Sequence, residues 1–320
     1  MQFFDLIIIG GGISGISAAV EAKKQGIDSI LILEKEFELG GILNQCIDSG
    51  FGLEIFNEDL TGPEFSQRLI DEALKMNISY KVDTTVIELK KDKTVIAVNP
   101  SEGLLEIRAK AVIIAVGCVE RARSAKNILG NRFAGIYTVG SAQRIVNTEG
   151  FLPGKEAVIL GTRDLAINMA RRLLIEGAKV KAVIEKSGAL KGNSTNKIEC
   201  MGDFGIPLLL NSCVTAVNGD ERVEGITVVQ TDSEGNALLG SEKILSCDTL
   251  LLSVDMIPDD DLLLKANIKK SREELRTDTE GFFVCGNANY VHEDTDSIVS
   301  EGKRAGLLVS KYILEEKSAN

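Results

Sequence analysis

The sequence has 320 residues, enough for two domains of ordinary size, and a net charge of −11. Its composition, 44% hydrophobic and 26% charged, is that of a globular protein. The negative charge disfavours a nucleic-acid partner, and every apolar run is far shorter than the ~20 residues that span a bilayer. The chain enters a strand almost at once, without a basic leader segment. We therefore expect a cytoplasmic protein with no membrane span and no nucleic-acid partner.

The cysteine and histidine content disfavours metal and hydrolase chemistry. Six cysteines are scattered without a Cys-x-x-Cys pair, and His292 is the one histidine. Zinc and iron–sulfur sites need clustered ligands, so we expect no metal. A Ser-His-Asp triad would have to rest on His292 alone.

The N-terminal segment has the pattern of a dinucleotide-binding βαβ unit. A buried-strand pattern, Leu6 to Ile9, precedes Gly10, Gly12 and Gly15, which are spaced as Gly-x-Gly-x-x-Gly. The first glycine permits a tight turn, the second lets a pyrophosphate approach the backbone, and the third lets the next helix pack on the strand. The second strand ends in Glu34, whose carboxylate can accept hydrogen bonds from both ribose hydroxyls of an adenine nucleotide. An ordinary βαβ unit with a glycine-rich turn is the alternative.

A second unit of the same kind follows at low identity. A strand from Ala157 to Leu160 leads to Gly161, a helix from Leu165 to Glu176, and a strand that ends in Glu185. An acid at this place favours NAD over NADP. The alternative for Glu185 is a solvated carboxylate beside Lys186.

The second glycine motif departs from the pattern at Arg163, where the second glycine would stand. Ala166 in the third place is tolerated. A side chain at Arg163 takes space that a pyrophosphate uses, yet its guanidinium could pair with phosphate instead. The sequence therefore leaves NAD(H) binding open.

These features resemble the flavoproteins with two dinucleotide-binding domains, the thioredoxin reductase-like pyridine nucleotide-disulfide oxidoreductases. The resemblance covers the whole chain, including predicted strands from Leu104 to Arg108 and from Ala111 to Gly117 and a closing helix from Ser297 to Glu315. It implies an α/β fold with two Rossmann-like, three-layer domains, the second inserted into the first. Residues 1–118 and 258–320 would form an FAD-binding domain, and residues 119–257 an NAD(P)-binding-like domain.

Within this class, several strings are similar to the flavoprotein that accompanies bacterial anaerobic-type glycerol-3-phosphate dehydrogenase. Relatives of that group serve amine and amino-acid dehydrogenases. The strings are Gly40 to Cys46, Leu60 to Glu64, Gly140 to Gln143, Pro153 to Glu156 and Cys285 to Asn287.

The resemblance implies that FAD lies across the first domain, with its flavin pyrimidine at the N-terminus of the closing helix, whose dipole would stabilise negative charge on reduced flavin. A nicotinamide bound to the second domain, near Gly161 and Glu185, would pass a hydride to the flavin. The residues implied to contact FAD are Gly10, Gly12, Ile13, Ser14, Gly15, Glu34, Lys35, Gly41, Asn44, Val86, Ala115, Gly117, Gly286, Asn287, Ser297 and Ile298.

Three residues depart from the subgroup's usual pattern at the substrate end. Asp48 and Tyr290 stand where histidine is usual, and Asp255 stands where glycine is usual. No catalytic residue is assigned. Cys46 is a candidate redox thiol or a packed thiol beside the cofactor, and His292 is a candidate acceptor-side acid or a surface or loop histidine.

We therefore expect an FAD-dependent oxidoreductase that passes electrons between NAD(H) and a partner dehydrogenase subunit or small electron carrier, linked to glycerol-3-phosphate or amino-acid oxidation. The alternative is a flavin-binding electron-relay or structural subunit that has lost nicotinamide binding through Arg163. A stand-alone disulfide or peroxide reductase using Cys46 is disfavoured by the cysteine spacing. Assembly into a homo-oligomer is left open.

Overall fold

The computed structural model describes residues 2–121, 128, 133–191, 202–271 and 274–319, with side chains up to residue 315. The chain divides into two compact units, Met1–Val119 with Met256–Asn320, and Glu120–Asp255. Each unit contains a sheet built around parallel strands with helices packed on it, and the second unit is inserted in the sequence of the first. The predicted α/β fold with two Rossmann-like units is confirmed.

The N-terminal part of the first unit carries most of its sheet. Its elements, in chain order, are β1 Gln2–Ile9, α1 Ile13–Lys24, β2 Ile30–Leu33, a 3₁₀ helix Gly41–Gln45, β3 Ser49–Phe51, β4 Leu60–Thr61, α2 Gly62–Lys75, β5 Ser79–Lys81, β6 Thr85–Leu89, β7 Thr94–Asn99, β8 Gly103–Ile114 and β9 Cys118–Glu120.

The second unit and the C-terminal part of the first follow. The second unit contains β10 Ile136–Thr138, α3 Val139–Asn147, β11 Glu156–Leu160, α4 Asp164–Ile175, β12 Lys179–Ile184, β13 Leu208–Leu209, β14 Ser212–Gly219, β15 Val223–Gln230, β16 Lys243–Ser246 and β17 Thr249–Leu252. The C-terminal part contains β18 Met256–Pro258, α5 Asp261–Lys265, β19 Phe282–Val284, a 3₁₀ helix Gly286–Ala288 and α6 Thr295–Ala319.

The first unit has three layers. Its sheet has the order β5-β2-β1-β8-β7-β6, and β19 also pairs with β8. One face packs against α1, α2 and α6 through residues such as Ile8, Phe65 and Val309, and the other face packs against α5 through residues such as Ile9 and Leu263. Both faces of β1 are therefore covered, as its continuous apolar sequence predicts.

A single strand, β8, replaces the two strands predicted over residues 104–117. It pairs antiparallel with β7 through residues 103–108, and parallel with β1 from Ile107 to Ile114. Lys110 interrupts the apolar pattern, but β8 stays paired with β1 on both sides of this residue. Leu104 at the start is 70% exposed, whereas residues 111–114 are fully buried.

The second unit repeats this plan. Its parallel sheet has the order β10-β17-β11-β12-β13, with α3 and α4 packed on one face. The antiparallel sheet β14-β15-β16 covers the other face. The helix α3, which our sequence analysis missed, begins at a Thr138 side chain that accepts the Ser141 N–H. Among the described residues, no helix combines the length and apolar character needed to cross a bilayer.

Candidate nucleotide-binding sites

The first glycine turn is fixed by backbone packing. Gly10 has a φ of +105°, and a Cβ there would overlap the carbonyl group of Ala115. A Cβ at Gly15 would overlap the carbonyl oxygen of Gly10. At Gly12, by contrast, the nearest heavy atom of the described chain would be the Cα of Gly41, 3.9 Å away. Gly12 thus opens onto free space at the start of α1.

The N-terminus of α1 is ready to receive an anion. Its N-cap is Gly12, and within the described residues no side chain caps the first N–H groups. The first helical residues, Ile13 and Ser14, are buried. We call Gly10, Gly12 and Gly15, together with the uncapped N-terminus of α1, the glycine cradle. Its open space beside Gly12 fits a pyrophosphate group.

The carboxylate of Glu34 is held rigidly at the end of β2. It is 5% exposed, and its two oxygens accept the N–H groups of Gly11 at 2.6 Å and Glu36 at 2.8 Å. Each oxygen keeps a second lone pair that could accept a ribose hydroxyl. Lys35 lies next to it and is exposed.

The segment after Glu34 returns to the glycine turn. The Gly40 N–H donates to the Gly11 carbonyl at 2.8 Å, and a Cβ at Gly41 would lie 3.0 Å from the Gly12 Cα. Gly41 therefore lies beside the cradle, at the place where a cofactor-lining residue is predicted. The Asn44 side chain holds this segment together, because its Nδ2 donates to the Leu39 carbonyl at 2.8 Å and its Oδ1 accepts the Ser66 hydroxyl at 2.9 Å.

Other predicted FAD contacts come from three parts of the first unit. Ala115 touches Gly10, and Gly117 has a φ of +80°. Gly286 packs on Ser14, since a Cβ there would lie 2.5 Å from the Ser14 hydroxyl oxygen. Val86 is half-buried on β6, two residues beyond Thr84, whose N–H donates to the Glu34 carbonyl at 2.8 Å.

The N-terminus of α6 carries acids that our sequence analysis missed. Asp294 caps this helix, because its Oδ1 accepts the Ser297 N–H at 2.6 Å and its Oδ2 accepts the Ser297 hydroxyl at 2.9 Å. These hydrogen bonds hold the pKa of Asp294 below its ordinary value. Burial and the nearby charges of Glu54 and Asp294 raise the pKa of Asp296. The spacing of Asp294 and Ser297 is a cap signal visible in the sequence. Part of the dipole predicted to face the flavin is therefore offset by Asp294.

In the second unit, Glu185 is buried and its acceptor sites are largely filled. It is 2% exposed, and the Thr162 hydroxyl donates to its Oε2 at 2.9 Å. Its Oε1 accepts the N–H and the hydroxyl of Ser187, each at 3.2 Å, and lies 3.5 Å from the Lys191 ammonium. The solvated-carboxylate alternative for Glu185 is therefore wrong.

The charge of Glu185 is stabilised despite its burial. Burial raises the pKa of Glu185, but the hydrogen bonds from Ser187 and Thr162 and the charge of Lys191 outweigh it, so the pKa lies below its ordinary value. Thr162 is fully buried and also accepts the Lys191 N–H at 3.0 Å. The segment after β12 therefore covers Glu185.

Arg163 pairs with Asp255. Arg163 is the N-cap of α4, and its guanidinium lies 2.5 Å from Asp255 Oδ1. Both side chains are about half exposed, at 55% and 50%. Two residues that depart from the subgroup pattern at distant places in the sequence are thus in contact. The ion pair sits where the second glycine would leave room for a pyrophosphate.

The two candidate reactive residues lie in different surroundings. Cys46 is half-buried, and its thiol donates to the Ile42 carbonyl at 3.4 Å. His292 lies in the loop before α6, where its side chain is 15% exposed and its Nε2 is 3.1 Å from Glu301 Oε2. Its ring also meets the exposed Tyr290 edge-on. Burial and the charge of Glu301 raise the pKa of the Cys285 thiol to about 12, which makes it unreactive.

Two glycine turns, each followed by a strand that ends in a buried acid, define this chain as a dinucleotide-binding protein with two Rossmann-like units. The profile of the pyridine nucleotide-disulphide oxidoreductase family matches residues 4–301, and the chain belongs to this family. Its members bind FAD and NAD(P)H, and the chain is an FAD-dependent oxidoreductase.

Individual relatives agree with this assignment. The chain is 24% identical to thioredoxin reductase from Listeria monocytogenes over 99% of this chain and 96% of that protein. It is 25% identical to an opine oxidase subunit from Rhizobium meliloti over 88% of this chain and 56% of that protein. The crystal structure of T. acidophilum thioredoxin reductase superposes with a TM-score of 0.76 at 21% identity, over 97% of this chain and 99% of that one, which shows a shared fold.

Substitution of Gly12 by valine should abolish FAD retention. The branched side chain would enter the open space that the pyrophosphate is predicted to fill. The measurement is the flavin absorbance per chain after purification. Gly202→Val is the matched control, because a Cβ there meets no described atom within 4 Å. A Gly12→Val protein that purifies with one flavin per chain would refute this placement.

Glu185 should make stability fall in acid. Its pKa in the folded state is below the ordinary 4.5, so the unfolded state binds more protons and the stabilisation is lost as the pH falls through the folded-state pKa. Thermal unfolding below about pH 4.5 should therefore change less with pH in Glu185→Gln than in the unmodified protein. The exposed Glu224→Gln is the control, and parallel pH profiles for all three proteins would contradict the expectation.

Proposed function

We propose that this chain is a flavoprotein subunit that passes electrons between NAD(H) and a partner dehydrogenase subunit or small electron carrier. The observation that carries the proposal is the complete cradle of the first unit combined with the cysteine pattern. Gly12 opens onto the N-terminus of α1 and Glu34 is fixed beside it, whereas no two of the six cysteines are spaced as a Cys-x-x-Cys redox pair. Electrons that reach the flavin would therefore leave to an external acceptor.

Bound FAD would supply the group that accepts a hydride. The chain's own residues would bind and orient it: the first N–H groups of α1 would hold the pyrophosphate and Glu34 the adenosine ribose. Gly41, Gly117, Gly286 and their neighbours would line it through the backbone. The domain bounds and site residues predicted from the sequence are part of this proposal.

The proposed partner oxidises an amino acid, a related amine, or glycerol-3-phosphate. The strings from Gly40 to Cys46 and from Cys285 to Asn287 support this range of partners. The opine oxidase relative is, by its name, one subunit of a larger oxidase. This supports assembly with other subunits. It also favours a partner that oxidises an amino acid over one that oxidises glycerol-3-phosphate.

Reconstitution with a partner subunit tests the proposal. The protein is mixed with dehydrogenase subunits for glycerol-3-phosphate, opines and amino acids, and NADH formation is followed with each substrate. We expect turnover that requires both proteins with one of them. An absence of NAD-linked turnover with all of these partners would count against the proposal.

A second candidate function is an electron-relay or structural subunit that does not react with nicotinamide. The ion pair between Arg163 and Asp255 favours it, because a side chain stands in place of the second glycine and its guanidinium already has a partner. Glu185 favours it as well, since hydrogen bonds from Thr162 and Ser187 leave little capacity for ribose hydroxyls.

An anaerobic titration with NADH separates the two candidates. An exposed ion pair contributes only about 0–1 kcal/mol, so Arg163 can leave Asp255 for a phosphate. We expect stoichiometric NADH to bleach the flavin of the unmodified protein, and Arg163→Gly to weaken NADH binding about tenfold by removing that contact.

The opposite pattern would favour the relay subunit. The unmodified flavin would then be reduced by dithionite but not by NADH, and Arg163→Gly with Asp255→Gly would gain NADH reactivity. An Arg163→Gly protein that reacts with NADH as the unmodified one does would show that Arg163 neither blocks nor assists binding.

Cys46→Ser should leave electron transfer unchanged. The proposed function uses no thiol, and the Cys46 thiol donates a hydrogen bond to the Ile42 carbonyl. Turnover with the partner is the measurement, and the equally half-buried Cys118→Ser is the control. A loss specific to Cys46→Ser would move the disulfide or peroxide reductase ahead of both candidates.

A further inference from the structure

Glu301 is a buried carboxylate in the first unit, and the proposed function gives it no role. It lies on α6, is 9% exposed, and its Oε1 accepts the Gly286 N–H at 2.9 Å. Its Oε2 lies 3.1 Å from His292 Nε2. A buried charge destabilises a protein unless it is paired and hydrogen-bonded. The Glu301 carboxylate therefore depends on these hydrogen-bond donors for its stability in the folded protein.

These contacts form a closed ring. While the His292 imidazole meets Glu301, the His292 backbone N–H donates to Asn287 Oδ1 at 2.9 Å. Gly286 and Asn287 are adjacent in the chain, so Glu301 reaches the same turn twice, directly at Gly286 and through His292 at Asn287. The amide of Asn289 adds a longer contact to Glu301, at 3.4 Å.

The turn that this ring fixes lies against the glycine cradle. Gly286 has a φ of +63° and packs on the Ser14 side chain, in the first turn of α1. The other end of the turn is also fixed, because the Lys270 ammonium donates to the Ala288 carbonyl at 3.1 Å. A shift of Gly286 would therefore be felt where the pyrophosphate is proposed to bind.

We propose that Glu301 is a positioning residue for FAD, setting the Gly286–Asn287 turn through the Gly286 N–H and, with His292, the Asn287 side chain. The inference rests on the proposed placement of FAD in the first unit. A carboxylate suits this role because both of its oxygens accept, so it can bind the two donors, Gly286 N–H and His292 Nε2–H, at once. A leucine would leave the Gly286 N–H without its acceptor.

Reconstitution of the apoprotein with FAD tests this role. The FAD dissociation constant is measured by flavin fluorescence, and the thermal stability of each apoprotein is recorded beside it. Glu301→Leu should weaken FAD binding about tenfold or more. Glu301→Gln keeps a carbonyl oxygen for Gly286 and should restore binding to within about threefold. Glu315→Gln, an exposed carboxylate on the same helix, should change nothing.

Asn287→Ala separates the failure of this role from the failure of the FAD placement. If Asn287→Ala weakens FAD binding and Glu301→Leu does not, the role of Glu301 is overturned and the placement stands. If neither variant affects FAD binding, the placement itself is overturned. A lower apoprotein stability with unchanged FAD affinity in Glu301→Leu would show that Glu301 acts on folding alone.

His292→Ala keeps the experiment decisive if Glu301→Leu does not fold. This variant removes the imidazole that holds Glu301 while the backbone N–H to Asn287 remains. We expect FAD binding weakened about threefold to tenfold. Unchanged FAD affinity in His292→Ala would overturn the proposal.

Discussion

The first unit depends on one close backbone contact, that of Gly15 against the carbonyl of Gly10. It brings α1 onto β1 with no side chain between them, and this fixes where the first turn of α1 points its N–H groups. Gly302 and Gly306 on α6 approach α1 in the same way, at the carbonyls of Ser14 and Ala18. α1 therefore packs closely on two sides through glycines, while the space beside Gly12 at its N-terminus stays open.

In each unit an acid follows the second strand of the βαβ unit, but the groups that donate hydrogen bonds to it differ. Glu34 is bound by backbone N–H groups of Gly11 and Glu36, which leave its remaining lone pairs available. In the second unit Thr162 takes the place of Gly11, and its hydroxyl binds the acid. Side chains thus supply in the second unit what the backbone supplies in the first. A nucleotide ribose could donate hydrogen bonds to the available lone pairs of Glu34, whereas those of Glu185 already accept hydrogen bonds from the chain.

The sequence predicted the parts of the fold that follow from local pattern and spacing. The strand before Gly10, the helix after it and the acid at Glu34 lie within one continuous stretch, so their order alone indicated the βαβ unit. The continuity of β8 could not be read this way, because it depends on partners that lie far away in the chain, such as β1 and β19. The cap at Asp294 carried a local signal that the closing-helix prediction did not use.

Two side-chain pairs of the site escaped prediction because no local pattern connects their members. Arg163 and Asp255 were each noted as departures, but 92 residues separate them and nothing local indicates their contact. The pairing of His292 with Glu301 likewise requires the chain to turn back through the start of α6. Composition and periodicity identify which residues are unusual, whereas the fold decides which of them meet.

The pairing of β8 with β19 also constrains how the molecule can assemble during synthesis. The antiparallel hairpin of β7 and β8 is local and can form early, but β19 pairs with Val112 to Ile114 only after residues 282–284 have been made. By then the whole of the second unit has been synthesised, and most of it can fold ahead of the completed first sheet. The Gly286 turn follows directly after β19, so an emerging chain holds an unfinished cradle until synthesis is almost complete.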